Sequence, residues 1–352
     1  MKKNNIVTLR PFCYIRPSLD TMTAGVIAVL VPQIVMLFVT DSYRSLILLG
    51  CTTAASVLAE CIDAAALRHK RGDWNVALLQ GLLIGMFLPA SYPFASAFFI
   101  ALCTLLVAKY AFGGLAGSWI NPVAAVIIIA YFVGAVWFPA YSVPAGYLQT
   151  RNVSLALIQD GVIPTLPADS SVTAFLNETV FAFLGTSIPD GYVSLLWDSG
   201  AAVPAFRFNI LTLIASLVLF SFRMLHWVVP ACYVAVYAVL VKFFCPVFAG
   251  GTVGEGDILL SVLSGGTLFT AFFVLSWFGT TPLSPGGKVF YGVFAGVASF
   301  FISGYGMSPV GAMFTVLSAN MISPVIQLCE RMRSKATLYA KQLPKIEKIR
   351  KS

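Results

Sequence analysis

The sequence predicts an all-α polytopic membrane protein with about ten transmembrane helices in two inverted five-helix repeats. Three observations carry that expectation: a composition too apolar for water alone, apolar runs of membrane-crossing length, and basic residues confined to alternate connections. Of the 352 residues, 59% are hydrophobic and 10% charged, and the mean hydropathy is +0.88. A soluble core of this size needs more polar surface to wrap it, so lipid must be part of the solvent.

The clearest apolar runs are Met22 to Phe38, Leu46 to Leu67, Ala95 to Phe112, Pro122 to Phe138 and Leu211 to Met224. A helix rising 1.5 Å per residue needs roughly 20 residues to cross the hydrocarbon. About twenty polar and basic residues precede the first run and no small-residue cleavage site follows it, so it reads as a retained span. Ten spans then fall near 21–39, 45–67, 76–90, 93–112, 121–138, 207–222, 226–245, 257–276, 288–304 and 308–328.

Charge fixes their direction. With a cytoplasmic N-terminus, 18 of the 22 Lys and Arg lie inside, including Lys109 and eight residues from Arg331 to Lys351; only Arg44, Arg151, Arg207 and Lys242 fall outside. The opposite orientation reverses this bias, so both termini are expected in the cytoplasm of a multi-pass inner-membrane protein. The net charge of +8 therefore marks topology rather than nucleic-acid binding. Residues 1–138 form a first membrane half, 139–206 a periplasmic loop, 207–330 a second half, and 331–352 a basic cytoplasmic tail suited to anionic membrane lipid.

The halves share a weak repeat. LLQG (Leu78 to Gly81) is followed, 40 residues after its glycine, by NPVAA from Asn121; VLSG (Val262 to Gly265) is followed, 43 residues after its glycine, by SPVGA from Ser308. Five spans per half, an odd number, require inverted repeats, and interrupted segments at matching places frame a midplane site or pathway. Such repeats build a membrane redox subunit or, alternatively, a channel or transporter for a small neutral solute. The seven cysteines are scattered without C-x-x-C spacing and read as buried small hydrophobes. No metal site is expected.

Glu60 and Asp63 lie one helical turn apart in the second span and share a face. Ionisable groups inside a membrane helix are costly and mark function by default. Glu60 is expected on an ion pathway, in a water-accessible cavity where it exchanges a proton or ligates Na⁺. Asp63 reads as a snorkelled acid paired with the Arg68 to Arg71 block.

Three ordered motifs give the chain its resemblance: LLQG with Asn75 before it, AKYAFGGLAGSWINP (Ala108 to Pro122), and the series SGGTLFTAFFVLS, GKVFYGVFAG and ANMISPVI between Ser264 and Ile326. They resemble the RnfD/NqrB family, and the absence of a longer N-terminal extension favours the RnfD type. The resemblance implies a membrane subunit of an Rnf complex, which couples electron flow between ferredoxin or flavodoxin and NAD to Na⁺ or H⁺ movement. Its partners would be the other Rnf subunits and a flavin transferase. FMN would be joined by a phosphoester to a threonine on the outer face, and the family also leaves room for riboflavin. The cofactor would supply the redox chemistry, with no catalytic side chain on this subunit. Gly250 to Gly256 follows no strand and reads as an outside loop, not a dinucleotide fingerprint.

The family's S/T-G-A-T attachment signal matches Ser170, Ser171, Val172 and Thr173, with Thr173 as acceptor and the middle Gly-Ala replaced. Asp169 or Ser170 is expected to cap a helix starting near Thr173, whose free N–H groups would favour a phosphate. SGGT (Ser264 to Thr267) matches the signal more closely but lies in a membrane span. Glu60 matches a glutamate of RnfD-like chains. Trp74 and Trp277 occupy positions where the family often has aspartate; Asp73 replaces the first by a one-residue shift, and nothing replaces the second.

Overall fold

A computed structural model describes residues 17–67, 73–112, 119–139, 165–183, 187–248, 256–305 and 308–351, with the single positions 114, 185, 253 and 254. Every regular element among them is helical. The first half comprises α1 (Leu19–Val39), α2 (Tyr43–Leu67), α3 (Trp74–Phe87), α4 (Phe94–Leu105) and α5 (Pro122–Gly134). The segment between the two halves carries α6 (Asp169–Leu176) and α7 (Tyr192–Trp197). The second half follows as α8 (Asn209–Ser221), α9 (Val228–Phe243), α10 (Ile258–Ser264), α11 (Pro285–Ser299) and α12 (Gly311–Lys351).

These helices occupy the ten expected stretches, but not as ten uniform spans. Leu19–Val39, Tyr43–Ala66, Pro285–Ser303 and Gly311–Ser334 are long and apolar enough to cross a membrane; Trp74–Phe87, Phe94–Tyr110, Pro122–Trp137, Asn209–Ser221 and Val228–Phe243 are shorter apolar helices. The eighth stretch breaks at Gly265 and Gly266, the latter with φ +67°, before a short helix and a π turn at Thr270–Val274. Together these elements make a multi-pass membrane protein whose interrupted segments resemble the half-helices of transporters.

Small residues let the helices approach. A Cβ on Gly81 would lie 2.4 Å from the Thr53 Cα, and one on Gly85 2.6 Å from the Leu49 Cα, so α3 lies backbone to backbone on α2. Thr52 Oγ1 donates to Gly81 O (2.9 Å) and Ser56 Oγ to Ala77 O (2.7 Å) across the same contact. Gly292 and Gly296 let α11 meet α9 in the same way, at 2.9 Å from Val229 O and Tyr233 O. Without a hydrophobic force between helices in lipid, this dispersion and hydrogen bonding hold the bundle. The described cysteines correct their reading: Cys61, Cys103 and Cys329 are exposed, and Cys51 and Cys232 half-buried. An apolar thiol on a lipid-facing helix surface has no need of burial.

Candidate functional site

Three helices of the first half converge on Glu60. It is 5% exposed in α2, and its Oε1 accepts the backbone N–H of Asp73 (2.8 Å), which precedes α3. Its Oε2 accepts from Tyr110 OH (2.6 Å) and from Lys109 Nζ (3.1 Å). Lys109 also donates to Tyr110 OH (3.0 Å) and to Gln80 Oε1 in α3 (3.3 Å). Both Lys109 and Tyr110 reach the same carboxylate because α4 ends in a π turn, Leu106–Tyr110, the kind of local widening often found at functional sites.

This geometry corrects two expectations. Lys109, counted among the cytoplasmic surface charges, is 1% exposed and ion-paired inside the bundle. Glu60 therefore has a lysine as its nearest charge in place of Asp63, and the residue is 5% exposed. Asp63 is half-buried, and its expected partners Arg68, Lys70 and Arg71 lie outside the described residues. Asp73 contributes its backbone N–H to Glu60. A buried pair of this kind is held by its complete hydrogen-bond set, and losing one member costs about 3–5 kcal/mol.

The segment between the two halves presents Thr173 differently from the expected helix start. α6 begins at Asp169, with Ala168 at the cap position and no side-chain capping bond. The turn at Pro167 and Ala168 starts the helix four residues before Thr173, so Thr173 sits in its second turn without free N–H groups around it. Ser170 is exposed, whereas Thr173 is 2% exposed and its Oγ1 donates to Asp169 Oδ1 (3.3 Å). The two residues thus do not form one open phosphate site. Asp169, itself 2% exposed, also accepts from Gly191 N (2.8 Å), Ser194 N (2.7 Å) and Ser194 Oγ, joining α6 to α7. Asn177 closes the far end by accepting from Ile188 N and donating to Ile188 O, both at 2.9 Å.

In the second half, Thr267 is buried at the helix break, and Trp277 is 2% exposed. Ser276 and Trp277 help line a cavity of about 30 Å³ with Leu79, Phe273 and Met224. The GGTVGEG run lies mostly outside the described residues. Gln80, Lys109 and Tyr110 are the site residues that sequence reasoning passed over. The signal was present: each polar side chain sits within or beside a motif already singled out for its glycines.

Comparison with known proteins shows the family of the chain. The model of the NQR2, RnfD, RnfE family matches residues 6–335. The D subunit of the ion-translocating oxidoreductase complex from Aliivibrio salmonicida (strain LFI1238) is 24% identical, covering 93% of this chain and 97% of its own. The protein of the same name from Actinobacillus pleuropneumoniae serotype 5b (strain L20) is 27% identical over 77% of this chain and 82% of its own. The D subunit of the Na(+)-translocating ferredoxin:NAD(+) oxidoreductase complex from Acetobacterium woodii is 24% identical over 92% and 93%. With a family match running over nearly its whole length, the chain belongs to the NQR2, RnfD, RnfE family.

Proposed function

We propose that this chain is the membrane subunit of an Rnf-type complex that passes electrons between ferredoxin or flavodoxin and NAD while moving Na⁺ or H⁺. The observation that carries this reading is the family match over residues 6–335, whose relatives are named as subunits of ion-translocating oxidoreductases. Its place would be the cell inner membrane, among the other Rnf subunits, with two inverted halves and both termini cytoplasmic. The contacts at the helix ends support that path. Arg207 donates to Ser42 (2.7 Å) and Ala90 N to Ala202 O (3.1 Å) at the expected outer end, while Glu60, Asp73 and Lys109 meet at the expected inner one.

Thr173 is the proposed carrier of covalent FMN, loaded by a flavin transferase, with riboflavin as a further, non-covalent flavin. The residue type fits, because a phosphoester needs an alcohol. The closed pose does not: Oγ1 faces the Asp169 carboxylate inside the α6–α7 seam, so esterification requires α6 to lift. Bound FMN supplies one- and two-electron redox chemistry. The chain's own contribution is to position that group at the outer face through the Asp169 and Asn177 clamps, with exposed Ser170 on the adjoining helix face. Glu60 serves as the ion-pathway acid.

Intact mass and in-gel fluorescence of the purified chain test the flavin assignment. Thr173→Ala should remove the flavin mass. Flavin that persists in this variant, or that disappears only with Thr267→Ala, refutes it.

A further inference from the structure

We propose that Lys109 is a tethered counter-cation: its ammonium fills an oxygen shell at Glu60 that would otherwise bind a free monovalent alkali cation. The inference deepens the ion-pathway reading of Glu60 and rests on that reading only for its consequence in transport. Three oxygens surround Lys109 Nζ: the Glu60 carboxylate at 3.1 Å, the Tyr110 hydroxyl at 3.0 Å and the Gln80 amide oxygen at 3.3 Å. An ammonium has three N–H donors, and here each has an acceptor. The shell is drawn from α2, α3 and the π turn after α4, so it is assembled by tertiary packing rather than by one helix. It is also dry: Glu60, Gln80 and Lys109 are 5%, 0% and 1% exposed.

Gln80 adds an independent observation. Its Oε1 faces the ammonium, while its buried Nε2 has no hydrogen-bond partner among the described residues. Turning the amide over would aim its N–H groups at a cation, so the cation sets its orientation at the expense of an unmet donor. The same carbonyl, hydroxyl and carboxylate oxygens are the hard ligands that an alkali ion takes.

The consequence is exclusion. A Na⁺ arriving at Glu60 would place two cations on the same oxygen shell, away from water, where like-charge repulsion is weakly screened. In the native protein Na⁺ is therefore kept from Glu60, and if Glu60 lies on the ion pathway, the ion it handles is the proton. Removing the ammonium while leaving the oxygens converts the shell into a Na⁺ site.

Thermal melting of the detergent-purified full chain in NaCl against choline chloride, at equal ionic strength, reads this directly. The wild type should melt at one temperature in both salts. Lys109→Met should be stabilised by Na⁺ specifically, by about 2 °C at tenfold saturation, and the double variant Lys109→Met with Glu60→Gln should lose that response. A Lys109→Met protein that folds only in NaCl also supports the shell. One that melts identically in both salts, or folds in neither, overturns it, as does a Na⁺-specific stabilisation of the wild type that Glu60→Gln abolishes. Ion uptake by the whole complex is a separate readout. If Glu60→Gln leaves uptake intact, the transport role of Glu60 falls and the shell stands. A salt-blind Lys109→Met sinks the shell and leaves the transport role standing.

Discussion

Asp169→Ala should open the α6–α7 helix pair. The carboxylate is 2% exposed and accepts from two backbone N–H groups and two hydroxyls. Each hydrogen bond to a charged group contributes roughly 1.5–3 kcal/mol net, and these four share one carboxylate, so their contributions do not add. Leaving the amides of Gly191 and Ser194 buried without an acceptor gives a local cost of about 4 kcal/mol. At 1.36 kcal/mol per decade, that is close to a thousandfold rise in the opening equilibrium. Hydrogen exchange followed by mass spectrometry should show it as lost protection over residues 169–197, centred on the Gly191 and Ser194 amides. Asp190→Ala, one residue from the seam on an exposed side chain, serves as the control. Exchange unchanged by Asp169→Ala, or raised equally by both substitutions, would refute the clamp. If Thr173 is the proposed flavin carrier and the seam guards it, the opened variant should be loaded faster.

Glu60→Gln should uncouple ion uptake from electron transfer in vesicles reconstituted with the whole complex, and should leave the proposed flavin at Thr173 in place. Unchanged uptake at an unchanged redox rate would make Glu60 a packing acid. Reporter fusions at residues 170 and 345 should report opposite sides of the membrane; the same side for both would refute the ten-span path.

Helix positions were legible because hydropathy is a local property. Each apolar run becomes a helix near its expected bounds, and the breaks fall at Gly and Pro clusters such as Gly265–Gly266. The site was legible only in part. Glu60 stood out as a costly charge, but its partner Lys109 lies 49 residues away and occupies a helix end where a basic residue also satisfies the positive-inside rule. Charge counting cannot separate a surface lysine from one turned inward by a π turn. Thr173 shows a second limit. Its motif placed it in the correct segment, yet whether its hydroxyl faces solvent depends on Gly191 and Ser194 in the next helix, and no local pattern encodes that docking.

The interrupted stretch after α10 raises a problem that only tertiary contacts solve. A helix broken within a bilayer releases backbone carbonyls that water does not reach, and each must find a donor. Here the donors are side chains from other helices. Asn209 Nδ2 takes Leu263 O (2.9 Å), Asn121 Nδ2 takes Val274 O (2.9 Å), and Tyr291 OH takes Leu275 O (3.3 Å). Asn121 has a second task, since its Oδ1 accepts from Val123 N (2.9 Å) and caps α5. A serine in its place can cap but is too short to reach the second half; an alanine does neither. Asn121→Ser should lose about 1–3 kcal/mol through the orphaned Val274 carbonyl, and Asn121→Ala about 1 kcal/mol more through the lost cap. Melting of the detergent-purified chain resolves the order. If the serine variant is as stable as the wild type, the bond across the two halves contributes nothing, and the break must be held by packing alone.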